Sequence, residues 1–197
     1  MLPLFGAFRE QFYLAGGTGL ALQIGHRDSV DFDFFTPDHF DVATFHSNLI
    51  EIFGGEKIIA TLEEKDSLNV VIDDEIKLSF LRYPYKLIEP CIEEEYLKIA
   101  SMEDIACMKL SAIVSRATWK DYIDIFFILK KIPLDKLLFA MDQKMPDLDR
   151  NLVLKSLVYF DDIPQEEILF KGDFEILRKD VEVALEKQAK ALIILKK

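Results

Sequence analysis

Residues 29–36, SVDFDFFT, alternate polar and apolar side chains at period two, a pattern that leaves few ways to fold. Period two belongs to a strand with one buried face, and residues i and i+2 share a face. Val30, Phe32 and Phe34 are therefore expected to enter a core. Asp31 and Asp33 are expected to stand together on the other face, about 7 Å apart along the backbone. Two carboxylates so close repel each other unless a cation lies between them. A hard divalent ion such as Mg²⁺ (or Mn²⁺) takes carboxylate oxygens and leaves positions free for phosphate. The pair is thus a candidate metal–nucleotide site. A solvated strand face would show the same alternation. Asp147 and Asp149 in PDLDR (146–150) follow a proline and precede a helical run, so they read as turn and cap.

The neighbourhood separates the first acid pair from the second. Gly16, Gly17 and Thr18 lie where the apolar run FYLAGG (12–17) gives way to TGLALQI (18–24), which reads as a strand-to-helix turn with Thr18 near the helix N-cap. Glycines let backbone N–H groups approach a phosphate, and a helix N-terminus adds favourable partial charge. The Thr18 hydroxyl could donate one more bond. Arg27, just before the acidic strand, has two roles open to it: pairing with phosphate or pairing with Asp31.

Further along, DVATFHSNLIEIF (41–53) has helical spacing and ends at Gly54-Gly55. KIIATLEE (57–64), SLNVVI (67–72) and EIKLSFLRY (75–83) read as strands of an antiparallel meander, with Asp73-Asp74 as a turn. After Pro84 the pattern becomes helical. A helix is expected over 101–119, opened by a capping box of Ser101 and Asp104. A second is expected over 120–131, stopped by Pro133, and amphipathic helices follow within 134–144, 148–160 and 174–197. The expected organisation is an α/β part over 1–90 and a helical part over 91–197. Lys109 and Arg116 are seven apart and share a helix face. Two cations there could meet a triphosphate or neutralise charge in a transition state, or form a solvated basic face. Asp121 and Asp124 could pair with Lys120 or Arg116 and position them, or serve as a cap and a surface residue.

The formal charge of −11 argues against binding nucleic acid by bulk electrostatics. His26, His39 and His46 form no metal-binding pair or HExxH motif. Cys91 and Cys107 form no CxxC and read as reduced thiols of a cytoplasmic protein. No window is apolar enough for a membrane span, and the N-terminus does not read as a secretory signal.

LAGGTGLALQIGHRDSVDFDFF (14–35) resembles the first motif of the AbiEii/AbiGii toxin family of nucleotidyltransferases, within the DNA polymerase beta-like superfamily. MKLSAIVSRATWKDYIDIFFIL (108–129) is similar to the family's later helical motif, which maps to Lys109, Arg116, Lys120, Asp121 and Asp124. FLRYPYKLIEP (80–90) also has the family's look, and the resemblance covers roughly residues 10–130. It implies an α+β fold: a polymerase beta-like core, a mixed twisted sheet with flanking helices, followed by a helical C-terminal half. It implies a metal-dependent enzyme that moves a nucleoside monophosphate from an NTP to a hydroxyl acceptor. It further implies the toxin of a bacterial toxin–antitoxin pair, with tRNA as the acceptor class (protein being the other) and a cognate antitoxin as partner. In that frame Asp31 and Asp33 hold the metal. Gly16, Gly17, Thr18, Arg27, Ser29, Lys109 and Arg116 contact the nucleotide, and Lys109 and Asp121 join the two acids as catalytic residues.

The superfamily typically has a third carboxylate on an adjacent strand, which binds metal and accepts the proton of the attacking hydroxyl. On EIKLSFLRY that position holds Ser79. Three readings stay open: two carboxylates suffice with another base, nucleotide is bound without efficient transfer, or a shifted register lets Glu75 or Asp74 supply the third acid. A hydrolase that uses water as the acceptor is a further rival.

Overall fold

A computed structural model describes residues 1–194. The last three residues of the helix expected over 174–197 lie outside the described residues. The chain divides into two compact units, the first made of Met1–Gly19 and Ser29–Ser101, the second of Leu20–Asp28 and Met102 onward. The division thus falls at 101/102, not near 90, and assigns nine early residues to the helical unit. Among the described residues no helix is long and apolar enough to cross a membrane.

The first unit is a seven-stranded mixed sheet. Its strands are β1 (Tyr13–Leu14), β2 (Phe32–Thr36), β3 (Ile58–Glu64), β4 (Ser67–Ile72), β5 (Ile76–Arg82), β6 (Ile92–Glu93) and β7 (Lys98–Ile99). Their order is β3-β4-β5-β2-β1-β7-β6. β3, β4 and β5 form the expected antiparallel meander. β2 runs parallel to β5 and antiparallel to β1, and β1 runs parallel to β7. β6 and β7 occupy the stretch where the sequence shows only a change of composition, and they carry the unit on to Ser101.

Alternation builds the core as expected, with one exception. Phe34 and Phe80 are register partners and stack at 5.2 Å with their planes 12° apart. Leu68, Val70, Ile72 and Leu78 share their face. Helix α1 (Leu2–Phe5) and the turns after it add Phe5, Phe8 and Phe12, which meet these rings mostly edge to face. Each well-buried phenylalanine contributes about 1.5–3 kcal/mol, and each ring pair about 0.5–1.5 kcal/mol more. Helix α3 (Val42–Ile52) is capped by Asp41, which accepts from the Thr44 N–H at 2.8 Å, and it buries Phe45 and Leu49 one turn apart. The exception is Val30. It is 74% exposed, because the paired part of the strand begins only at Phe32.

Helix α2 (Gly16–Ile24) begins two residues earlier than expected, so Gly16 and Gly17 form its first turn and Thr18 lies inside it. The second unit contains α4 (Met102–Ser115), α5 (Trp119–Leu129), α6 (Leu134–Lys144), α7 (Arg150–Ser156) and α8 (Arg178–Ile194). A break at 116–118, with Ala117 at φ +47°, ends α4 earlier than the sequence suggests. Asp104 is fully buried and pairs with the equally buried Lys144 at 2.6 Å. Asp149 caps α7 as read, accepting from the Asn151 N–H at 2.8 Å. The Tyr122 hydroxyl reaches the carbonyls of Ser156 and Tyr159 at 2.8 and 3.0 Å, and the Arg178 guanidinium lies 4.6 Å over the Trp119 ring.

Candidate active site

In the first unit the acid pair and the glycine turn meet. The Ala15 N–H donates to the Asp33 carbonyl at 3.0 Å, which sets the start of α2 against β2. Gly16 has φ +63°, and a Cβ built there would lie 2.6 Å from Asp33 Oδ2. Only glycine relieves both the left-handed backbone and the approach of the carboxylate. The first turn of α2 therefore lies directly beside Asp33, the juxtaposition that a phosphate held by helix amides and a carboxylate-bound cation would use. Asp31 is exposed and precedes the paired strand, whereas Asp33 is half-buried within it.

Thr18 is placed differently from its sequence reading. It is buried, and its hydroxyl donates to the Asp31 carbonyl, which can only accept. Its single proton is thereby used, so Ser29 Oγ, 2.9 Å away, must donate to Thr18 Oγ1. Both hydroxyls tie the helix to the segment that carries Asp31, and neither is offered to a phosphate in this arrangement. The Thr18 backbone N–H remains part of the first-turn set.

The parallel register pairs Asp33 with Ser79 and, across β5, Ser79 with Asn69. Glu75 lies before the strand. Asp73 accepts from the Lys57 N–H at 2.9 Å, and Asp74 pairs with Lys57 Nζ at 2.9 Å. The register therefore leaves a neutral row, Ser79 then Asn69, beside Asp33, and no third acid enters from that strand. Asn69 Oδ1 is buried without a hydrogen-bond partner. Among the described residues no three His, Cys, Asp or Glu side chains gather as a metal centre. Two carboxylates fit a Mg²⁺ ion that takes its other ligands from phosphate and water, the usual way this ion is held.

The second unit holds the other candidates in one buried ion cluster. Arg27 meets Asp124 with both prongs, Nε to Oδ1 and Nη2 to Oδ2, each at 2.8 Å. Neither role open to Arg27 in the sequence is what it does here, because its charge is buried and takes the nearest buried carboxylate. His26 Nε2 adds a 2.8 Å bond to Asp124, leaving His26 Nδ1 buried without a partner. Lys109, 6% exposed, bridges Asp121 at 2.8 Å and Asp124 at 2.7 Å. Thr118 Oγ1 donates to Asp121 at 2.8 Å. Arg116 keeps a side chain 65% exposed, its Nε 3.7 Å from Asp121. Lys120 is exposed, so the pairing of the two acids runs through Lys109, not through Lys120. Two cations, Arg27 and Lys109, balance two carboxylates in a space that excludes water.

Burial acts to lower the Arg27 and Lys109 pKa values, but bonding to Asp124, and to Asp121 for Lys109, outweighs it and raises both. Burial pushes the Asp124 carboxyl up, while Lys109, His26 and Arg27 together hold it far below the ordinary carboxylate range. Lys109 is thus a permanent cation at physiological pH. The Arg27–Asp124 and His26–Asp124 contacts, nearly a hundred residues apart in sequence, carry no local signal. The pairing of Lys109 with the two acids is equally hidden, because it crosses the break between α4 and α5.

The family model for the AbiEii nucleotidyl transferase toxin of type IV toxin–antitoxin systems matches residues 4–192. An uncharacterized protein of Aquifex aeolicus strain VF5 is 38% identical over 163 residues, covering 80% of this chain and 77% of that one. MenT4, a nucleotidyltransferase toxin of Mycobacterium tuberculosis, is similar in fold with a TM-score of 0.60 at 16% identity, over 98% of this chain and 81% of its own. JHP933 of Helicobacter pylori gives 0.51 at 17% identity, over 99% and 94%. With an α+β architecture, a mixed sheet and a family match over nearly its whole length, the chain belongs to the AbiEii family of nucleotidyltransferase toxins.

Proposed function

We propose that the protein uses a divalent cation held by Asp31 and Asp33 to move a nucleoside monophosphate from an NTP to a hydroxyl on RNA, with tRNA the acceptor class. The contact between Gly16 and the Asp33 carboxylate carries this reading. It puts helix amides suited to the departing diphosphate beside acids suited to Mg²⁺ (or Mn²⁺). The cation, when bound, withdraws charge from the phosphate oxygens. Backbone N–H groups of Gly16, Gly17 and Thr18 orient the triphosphate, and Thr18 and Ser29 act through the loop they lock. The acceptor oxygen bonds to the α-phosphorus, the bond from that phosphorus to the bridging oxygen breaks, diphosphate leaves, and the acceptor proton passes to water. Within the helical unit, Arg116 is an exposed cation open to phosphate charge, while Lys109 and Arg27 position Asp121 and Asp124. A cognate antitoxin restrains the activity.

The test is incubation of purified protein with each labelled NTP, Mg²⁺ and total tRNA. Label in RNA is expected, falling at least a hundredfold in Asp31→Ala and Asp33→Ala. Label in protein would redirect the acceptor, and release of free NMP would mean that water is the acceptor. A second reading, nucleotide binding without efficient transfer, is favoured by Ser79 beside Asp33. It predicts NTP binding with no labelled product.

A further inference from the structure

Four aromatic rings run in a continuous line along the sheet face that carries Asp33. Phe35 shares that face because it lies two residues on in the same strand. Tyr13 stacks on Phe35 at 6.1 Å, Tyr83 meets Phe35 edge-on at 5.9 Å, and Tyr85 lies 4.9 Å from Tyr83. The line begins buried, at Tyr13, and ends half-open, at Tyr85, which is 36% exposed. Its outer end is held in place. The Tyr83 N–H donates to the Thr36 carbonyl, and the Tyr85 N–H to the Tyr83 carbonyl across Pro84, both at 2.7 Å. A proline-bridged turn of this kind presents its rings with little freedom left to lose on binding.

We infer that Tyr85, backed by Tyr83 and Phe35, is the stacking surface for the base of the incoming nucleotide, an inference that rests on the nucleotidyltransferase reading above. The direction follows from the strand. The glycine turn sits at Asp33, on the side away from Phe35, since the Ala15 N–H meets the Asp33 carbonyl while Tyr13 pairs with Phe35. In the proposed pose the triphosphate lies at the glycine turn with its α-phosphorus near Asp33, and the nucleoside runs along β2 toward Phe35. Two residues of strand separate Asp33 from Phe35, about 7 Å. A 5′-phosphorus and its ribose span about that length, which brings the base to the line of rings that Tyr83 and Tyr85 carry on from Phe35. Stacking needs only a π-face, so the surface accepts any base and prefers the larger purines.

The test is equilibrium binding, with Mg²⁺ present, of ATP, of CTP and of ribose 5-triphosphate, which lacks a base. Tyr85→Ala is expected to weaken ATP about tenfold to a hundredfold, CTP less, and the base-free triphosphate not at all. Tyr85→Phe should bind all three as the wild type does, because the hydroxyl takes no part. Tyr85→Leu, which keeps bulk without a π-face, should behave as the alanine variant does. Equal ATP affinity in wild type and Tyr85→Ala, or an equal loss for ATP and the base-free triphosphate, would overturn the assignment. An Asp33→Ala protein that binds all three compounds as tightly as the wild type would sink the metal–phosphate reading instead, so the two failures are distinguishable.

Discussion

The two groups of carboxylates in this molecule are built on opposite principles. Asp31 and Asp33, in the sheet unit, are exposed and half-buried respectively and lie two residues apart in the chain. Asp121 and Asp124, in the helical unit, are fully buried, and Lys109 and Arg27 balance them bond for bond. The first pair is reached by solvent, and so by a metal ion. The second is closed and carries its own countercharge, and its free energy goes into holding α4, α5 and the 26–27 segment in one arrangement. Carboxylate count therefore says little about function, and what differs is whether the carboxylates are open to solvent or closed in with their countercharge.

The largest effect expected from this contrast is on stability. Asp124→Ala leaves Arg27 and Lys109 buried without their shared acid and should destabilise the protein by about 3–5 kcal/mol, read as a lower urea midpoint. Asp31→Ala, on an exposed residue, should move that midpoint by less than about 0.5 kcal/mol. Equal losses would erase the distinction.

Next in size is Gly16→Ala. The added Cβ meets Asp33 Oδ2 at 2.6 Å, and its backbone sits at φ +63°, so a cost of about 1–3 kcal/mol is expected together with displacement of the acid. Transfer should fall further than stability does, as a comparison of rate with melting temperature would reveal. A variant as active as wild type would detach the glycine turn from the acid pair.

A pH series sharpens the contrast from another side. Asp124 has a native pKa held well below its unfolded value of about 3.9, so its contribution is present above that value and is lost as pH falls through the native one. Lys109 has a raised pKa. Its contribution is whole below about 10.4 and is lost as pH rises through its native value. The urea-midpoint difference between wild type and Asp124→Asn should therefore be constant from pH 5 to 8 and shrink below about pH 4. A difference that persisted undiminished to pH 2 would contradict the pairing. The smallest effect belongs to Thr18→Val, which removes the bonds to the Asp31 carbonyl and Ser29 and should cost about 0.5–1.5 kcal/mol in urea titration.

The same contrast explains what could be read in the sequence. The DxD strand, the glycine turn and the meander are local patterns, and Ser79 beside Asp33 followed from counting along two strands. Val30 was misplaced because alternation continues past the point where pairing begins. β6 and β7 are two residues each, too short for periodicity to show. Thr18 carries the residue type of a cap, but its hydroxyl meets a carbonyl that comes from thirteen residues away. The ion cluster was the least legible part, since Arg27 and His26 find Asp124 across 97 and 98 residues, where only the fold brings them together.

The divalent cation proposed at Asp31 and Asp33 is the feature on which the function turns. Electron paramagnetic resonance of Mn²⁺, titrated into the protein with an NTP present, tests it most directly. One tightly held ion is expected in the wild type, with affinity lost at least tenfold in Asp33→Ala at an unchanged melting temperature. Equal Mn²⁺ affinity in wild type and Asp33→Ala would contradict the account.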